Sequence, residues 1–283
     1  MKQGLHENRQ LAKSHYENFS IGSFFLPKSI RSDLSNIYAF CRLADDIADE
    51  ASEGFARSTR LDEWGVRLNR TAVGEADTPL FAALGETIRR RSLPLEPFHD
   101  LLAAFKQDLI VTRYESWSQL FAYCRLSADP VGRLVLAVCG LNDAKYFAYS
   151  DKICTGLQLA NHWQDVAEDH RRGRIYIPAE VMKEFGVTEE TIKRNIPTSE
   201  FRRMMLFLCE EARRLFDEGE ELIHLVGKPL SPQLFLYHGG GLAALKAISS
   251  ANGDVLSERR RVGNPDRLRL LIGSTLLWLG FRR

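Results

Sequence analysis

The chain has 283 residues, and its 38 Lys and Arg side chains nearly balance its 37 Asp and Glu side chains. This near-neutral balance gives no support for general nucleic-acid binding, so any anion-binding region must be local. Five cysteines are scattered without a Cys-x-x-Cys spacing, which indicates buried thiols in a reducing compartment rather than a disulfide frame or zinc site. Because no apolar signal region opens the sequence, we expect a cytoplasmic protein.

Helical spacing recurs along the chain, whereas strand signals are nearly absent. Breaker residues cluster in six short connections, at 69–79, 92–97, 127–130, 171–179, 227–232 and 262–266. None of these connections is long or low in complexity, so residues 1–283 are predicted to form one all-α domain. Hydrophobic residues make up 45% of the chain, which is enough for a large core and an apolar cavity.

The first acidic cluster lies in a predicted helix over 34–50. At helical spacing Asp45 falls within an apolar row, and Asp49 follows one turn later on nearly the same line. The row comprises Leu34, Ile37, Tyr38, Cys41 and Ala48. Two carboxylates one turn apart repel by up to about 4 kcal/mol near a protein surface, and a magnesium ion would reverse that repulsion. The alternative is that Asp45 pairs with an arginine or that the row faces solvent.

A second acidic cluster lies in a predicted helix over 157–169. Its polar row consists of Gln158, Asn161, Asp165 and Asp169, with Leu159, Trp163 and Val166 on the opposite side. Alone, this pattern is typical of an ordinary surface helix. Together, the two Asp-x-x-x-Asp helices could face each other across a cavity and hold several magnesium ions with a bound diphosphate.

Three arginines follow this helix around the breaker Gly173, at positions 171, 172 and 174. Guanidinium groups beside a metal site would suit diphosphate oxygens through charge-assisted hydrogen bonds. Equally, cationic side chains at a helix C-terminus complement the helix dipole. The sequence leaves both interpretations open.

The C-terminal segment 268–283 is apolar and bounded by arginines, but it is too short to span a bilayer. A last core helix is one interpretation of this segment. The other is a peripheral contact with a membrane surface, which would make the protein membrane-associated.

The runs at 26–50, 123–136 and 158–178 resemble the squalene and phytoene synthase family, in the family's order. The similarity extends over roughly residues 15–265 and implies an all-α, type I isoprenoid synthase helical bundle around a central cavity. It implies that an isoprenoid diphosphate is the substrate. The resemblance also implies that magnesium is held by Asp45, Asp49, Asp165, Asp169 and Asn161. Positions that contact the diphosphate or line the pocket in relatives are Tyr38, Arg42, Gln158, Arg174 and Tyr176, with a looser match at 259–261.

Within the family, the runs at 15–20, 127–134 and 161–165 are similar to the branch that forms hydroxysqualene. Most head-to-head synthases carry Arg immediately before the first Asp of the second motif, where this chain has Gln164. The implied reaction converts presqualene diphosphate and water to hydroxysqualene, with Gln164 or Asn161 holding the water. Aromatic side chains that could wall the carbocation, or form plain core, are Phe24, Phe25, Phe105, Phe121 and Trp163.

Three other functions stay open from the sequence. A squalene or presqualene diphosphate synthase would join two farnesyl diphosphates. A ferritin-like di-metal protein would use the Glu-x-x-His spacings at Glu96 and His99 and at Glu221 and His224, although Pro97 interrupts the first. A non-catalytic helical scaffold would bind other enzymes of the squalene pathway.

Overall fold

The computed structural model describes residues 25–49 and 54–281, and within these ranges the regular structure is helical. Fourteen helices occur there: α1 Lys28–Asp49, α2 Gly54–Ala72, α3 Pro79–Arg91, α4 Glu96–Gln107, α5 Trp117–Ser127, α6 Asp129–Val138, α7 Ala144–Gln164, α8 Val166–Arg171, α9 Ala179–Glu184, α10 Glu189–Lys193, α11 Ser199–Gly219, α12 Glu221–Leu225, α13 Leu230–Ser250 and α14 Asn264–Leu279. The predicted all-α class is confirmed. The motif at 15–20 and Phe24 lie outside the described residues.

The helices fall into two compact units. One unit is built from the chain up to residue 110 and from 130–147, and the other from 111–129 and from residue 148 onward. Each acidic cluster belongs to a different unit. That residues 1–283 act as one domain around a central cavity stays a prediction.

In the first unit, α1 is fixed by an aromatic cluster and by a buried polar anchor. The rings of Phe40 and Phe98 meet edge to face at 5.5 Å between centroids, with Trp64 and Phe81 packed beside them. Such pairs stabilise a core beyond their buried area by about 0.5–1.5 kcal/mol. These contacts hold the helix that carries Asp45 against α2, α3 and α4.

The polar anchor of α1 is Asp33, which has no exposed surface. Its carboxylate accepts a hydrogen bond from Arg91 Nε at 2.7 Å and also pairs with Arg90. A buried carboxylate is stable only when it is paired in this way. One turn later, Asn36 Nδ2 donates to Thr87 Oγ1 at 3.0 Å, so two successive turns of α1 are tied to α3.

The burial of α1 corrects the predicted apolar row. The helix begins at Lys28, earlier than predicted, and its most buried apolar side chains include Phe40, Ala44 and Ile47. Tyr38 and Cys41 are only half-buried. Ile37 and Ala48 of the predicted row are buried as expected, whereas Phe40, which the row omitted, packs in the aromatic cluster. Asp45 is half-buried beside this packed face.

In the second unit, close helix packing surrounds α7. A Cβ added at Gly156 would lie 3.2 Å from the Phe216 ring of α11, so a larger residue here would require that ring to shift by a few tenths of an ångström. The indole Nε1 of Trp163 donates to the Leu208 carbonyl at 3.1 Å and closes the same interface. These contacts fix the end of α7, from which Gln164 and Asp165 follow.

The helix predicted over 157–169 is not continuous. It breaks at Asp165, whose ψ of 12° departs from the helical value, and α8 starts at the next residue. Backbone hydrogen bonds nevertheless continue through the break: Asp165 N–H donates to Asn161 at 3.0 Å, and Asp169 N–H donates to Asp165 at 2.8 Å. Asp165 and Asp169 therefore remain one turn apart across a bend.

The C-terminal helix α14 packs on α13 through small residues. Ser274 Oγ donates to the Pro232 carbonyl at 2.8 Å, and a Cβ added at Gly273 would lie 2.7 Å from the Phe235 ring. One face of α14 is thus core, as the sequence allowed. None of the helices in the described part of the chain has both the length and the apolar character needed to cross a bilayer.

Candidate active site

The first acidic cluster is organised by Arg42. Its guanidinium bonds Asp45 at 2.9 Å and Asp46 at 2.7 Å, spanning one helical turn. Burial, with the neighbouring Asp49 carboxylate, raises the pKa of Asp45 to about 6 despite the opposing effect of Arg42. Asp45 therefore takes up a proton more readily than an ordinary aspartate, and a nearby cation would favour its charged form.

Tyr38 lies one turn before Arg42 on the same helix. Burial raises the pKa of its hydroxyl, with Arg42 acting in the opposite direction and Asp45 adding to the rise. The phenol thus stays protonated and can donate a hydrogen bond next to the acidic cluster.

The second acidic cluster has the same electrostatic character. Burial, with the neighbouring Asp165 carboxylate, raises the pKa of Asp169 to about 7, while Arg172 and Arg174 oppose the rise. Arg174 is also tied to this residue by its backbone, because its N–H donates to the Asp169 carbonyl at 2.8 Å. Asp165 and Asp169 form a second carboxylate pair that favours a cation.

The three arginines after α7 divide between the two interpretations that the sequence left open. Arg171 and Arg172 bond within their own helix, to the Ala167 carbonyl at 3.3 Å and to Glu168 at 2.9 Å. Both are typical of cationic side chains that complement a helix C-terminus. Arg172 and Arg174 both lie electrostatically close to Asp169, so Arg172 fits both interpretations and Arg174 fits the diphosphate-binding one.

Asp165 also has a partner far away in sequence. Arg259 grips its carboxylate with two guanidinium nitrogens, Nη2 at 2.9 Å and Nε closer. The Gln164 amide, one residue earlier, donates to the backbone carbonyl of Arg260. The loose match at 259–261 thus becomes a direct contact of the second motif, which the run of three arginines alone could not establish.

A network of hydrogen bonds folds the segment 254–261 onto this site. Arg202 Nη2 bonds Asp254 at 3.0 Å, and the Ser257 hydroxyl donates to the same carboxylate at 2.9 Å. Arg260 Nε then donates to the Asp254 carbonyl at 2.7 Å. Sequence reasoning missed Arg202 and Asp254, since neither belongs to a recognisable motif.

Gln158 and Tyr176 meet at a buried histidine. The ring of His162 stacks on Tyr176 with 3.7 Å between centroids, and the side-chain nitrogens of Gln158 and His162 are 3.3 Å apart. Burial lowers the pKa of His162 to about 3, so the imidazole is neutral. Asn161 is exposed beside this group.

The aromatic residues considered for a carbocation wall occupy different environments. Trp163 has no exposed surface and its indole N–H donates to a backbone carbonyl, which favours the plain-core alternative for this residue. Phe121 is half-buried and stacks on Trp117 at 5.4 Å. Phe105 packs at the edge of the first unit's core, and Phe25 is buried.

Within the described part of the chain, no three His, Cys, Asp or Glu side chains come together as a ready metal site. Each acidic pair contributes two carboxylates, and magnesium commonly takes one or two carboxylates, with water and phosphate completing its shell. At the Glu-x-x-His spacing of α4, His99 Nε2 lies 2.8 Å from the Asn69 amide oxygen. All five cysteines are free thiols.

The squalene/phytoene synthase family pattern matches residues 12–266. The chain belongs to the squalene/phytoene synthase family. Its members are isoprenoid synthases, and this membership places the chain among enzymes rather than ferritin-like proteins. Both acidic clusters and the arginine segment at 259–261 lie inside the matched region.

Solved structures confirm the isoprenoid synthase-type helical fold. The crystal structure of squalene synthase HpnC from Alicyclobacillus acidocaldarius is 43% identical, with a TM-score of 0.84 over 88% of this chain and 94% of that one. A dehydrosqualene synthase structure with a bound ligand, 22% identical, superposes with a TM-score of 0.88 over 99% of this chain and 98% of that one. At 22% identity, this structural similarity shows the fold alone.

Curated relatives in the squalene/phytoene synthase family are named for a different product, phytoene. The 15-cis-phytoene synthase of Synechocystis sp. is 29% identical over 92% of this chain and 81% of its own length. Phytoene synthase of Daucus carota is 30% identical over 92% of this chain and 67% of its own. The relatives' names therefore agree on the family and differ in the product, squalene or phytoene.

Proposed function

We propose that this enzyme converts presqualene diphosphate and water to hydroxysqualene and diphosphate. The observation that carries the proposal is Gln164, which stands where most head-to-head synthases have Arg. Its amide bonds the Arg260 backbone, so this position contributes no second guanidinium beside Asp165. The 43% identity to a squalene synthase over most of both chains supports a C30 rather than a C40 substrate.

We propose magnesium as the metal, held by Asp45, Asp49, Asp165 and Asp169 with Asn161 beside them. The donor set fits, since magnesium prefers oxygen ligands. The raised pKa values of Asp45 and Asp169 mark carboxylates that burial and a like charge destabilise. When bound, the metal neutralises the negative charge that develops on the leaving diphosphate.

The chain's own residues perform the rest of the proposed reaction. Arg42 and Arg174 bind diphosphate oxygens by charge-assisted hydrogen bonds, with the Tyr38 hydroxyl as a neutral donor. Gln158 and Tyr176 shape the neighbouring pocket. The C–O bond breaks with its electron pair leaving on the diphosphate, and the ring faces of Phe25, Phe105 and Phe121 stabilise the cation.

Water then adds to the rearranged cation and loses a proton to give the alcohol. An amide can orient water without acting as a strong base, so Asn161 or Gln164 is suited to this position. Because the Gln164 nitrogen is engaged by Arg260, its carbonyl oxygen is the atom that would accept a hydrogen bond from the water.

The test is incubation of pure protein with presqualene diphosphate, farnesyl diphosphate or geranylgeranyl diphosphate, each with magnesium and with or without a chelator. Mass spectrometry of the lipid extract identifies the product. Hydroxysqualene from presqualene diphosphate, lost with chelator and restored by magnesium, supports the proposal. Product from geranylgeranyl diphosphate alone would overturn it.

A second candidate is the joining of two farnesyl diphosphates to presqualene diphosphate, or onward to squalene with a hydride from an added nicotinamide cofactor. It is favoured by the 43% identity to a structure named as a squalene synthase. The same assay separates the two candidates, because only this one consumes farnesyl diphosphate.

A further inference from the structure

The outer face of α14 carries a row of exposed apolar side chains. Leu268, Ile272 and Leu279 are 60%, 53% and 56% exposed, and Leu276 and Trp278 lie beside them. At about 100° per residue, these five side chains fall within an arc of about 160° around the helix. They are called the outer row below.

The outer row lies opposite the face that packs on α13. Gly273 and Ser274 are buried there, against Phe235 and the Pro232 carbonyl. The helix is therefore apolar on both sides, and only one side is accounted for by the core of its own unit. The same face includes the exposed Thr275, whose hydroxyl donates to the Leu271 carbonyl at 2.8 Å. A predominantly apolar exposed face of this kind marks an interaction surface.

The charged residues that border the outer row indicate which class of partner it fits. Arg267 and Arg269 are both exposed and border the arc on its two sides. The acidic residue of the helix, Asp266, is bound to Lys246 at 2.8 Å, which leaves cationic side chains at the edges of the outer row. An apolar stripe bordered by arginines matches the boundary between lipid headgroups and acyl chains, with the arginines at headgroup level.

We infer that the outer row of α14 docks this protein on an anionic lipid surface, lying in the interface without crossing it. The segment before α14 connects this surface to the candidate active site. Helix α14 starts at Asn264, five residues after Arg259, whose guanidinium bonds the Asp165 carboxylate. Docking would thus hold the arginine segment of the site close to the membrane. The inference does not depend on which isoprenoid is the substrate.

Vesicle co-sedimentation of the full chain tests this surface without substrate. The vesicles are phosphatidylcholine alone or phosphatidylcholine with phosphatidylglycerol. The variants are Leu268→Gln, Ile272→Gln and Leu276→Gln together, and Arg267→Gln with Arg269→Gln. A matched control changes three exposed apolar residues of the other unit, Val66→Gln, Val73→Gln and Ile110→Gln, which are on average more exposed than the three changed in α14.

The expected result is binding to the phosphatidylglycerol vesicles that falls about tenfold in both α14 variants and is unchanged in the control. Equal binding by the outer-row variant and the control would overturn the inference, as would a wild type that binds neither vesicle. Light scattering in lipid-free buffer measures whether the protein dimerises through this face. A wild-type dimer that the outer-row variant makes monomeric would show that a second copy covers this face. If the triple variant fails to fold, the arginine variant decides.

Discussion

Arg259 neutralises Asp165 in the structure described here, through two guanidinium nitrogens on one carboxylate. In the proposed site, a metal ion at Asp165 would compete with this guanidinium for the same oxygens. An arginine released in this way would be available to bind diphosphate.

Replacing Arg259 with Gln should lower kcat/KM by about 10- to 100-fold, because a hydrogen bond to a charged group is worth roughly 1.5–3 kcal/mol. The neighbouring Arg261→Gln is the matched control and should stay within about threefold. Steady-state kinetics on presqualene diphosphate measures both. Equal losses in the two variants would show that general positive charge matters, not the grip on Asp165.

Gln164 is the residue on which product identity is proposed to depend. Gln164→Arg places a guanidinium beside Asp165 and removes the amide that bonds the Arg260 carbonyl. Hydroxysqualene should fall as a share of product, since water is no longer oriented. Product analysis by mass spectrometry checks this, and an unchanged share would show that Gln164 does not set the outcome.

Helical spacing in the sequence predicted the contacts between side chains that are close neighbours along the chain. The two carboxylate pairs and Arg42 follow from one-turn neighbours on a helix. Arg259 lies 94 residues from Asp165, and no periodicity connects residues so far apart. Placing Trp163 in the core also required knowledge of its tertiary contacts. The sequence pattern around an aromatic residue does not distinguish a core position from a pocket position.

Among the elements, the turn between α13 and α14 determines where the arginine segment lies. Gly253 has a φ of +73°, and a Cβ there would lie 2.5 Å from the Arg202 carbonyl oxygen. The backbone of α11 leaves no room to yield. This glycine starts the path that continues through Asp254 to Arg260.

Gly253→Ala should destabilise the protein by about 2–4 kcal/mol, from the left-handed backbone and the clash together. Gly186→Ala is the control, because its φ is +69° with nothing within 4 Å of the added Cβ. It should cost only about 1–2 kcal/mol. Urea unfolding measures both, and equal losses would mean that the approach to Arg202 is not tight.

The predicted connections at 92–97 and 171–179 coincide with helix ends, because Gly and Pro act through local backbone preferences. The helix ends near Gly140 and Gly186, where φ is also positive, were not among the predicted connections. The break at Asp165 was not predicted. No Gly or Pro marks it, and the hydrogen bonds of a helix continue across it.

Over the whole molecule, the resemblance predicted the family and the fold, since both depend on patterns spread along most of the chain. The two compact units each supply one carboxylate pair. That both pairs act on one diphosphate is the central proposal, and it rests on their matching chemistry: two carboxyl groups one turn apart, one of them with a raised pKa, and arginine nearby.

A double-mutant cycle tests this sharing most directly. Calorimetry measures the affinity for inorganic diphosphate in magnesium for the wild type, Asp45→Asn, Asp169→Asn and the double variant, with Glu168→Gln as the control. If both pairs hold one ligand, each single change weakens binding, and the double loss differs from the sum of the single losses by about 1 kcal/mol or more. Losses that add within about 0.5 kcal/mol, or no loss from one of the two changes, would contradict a shared site.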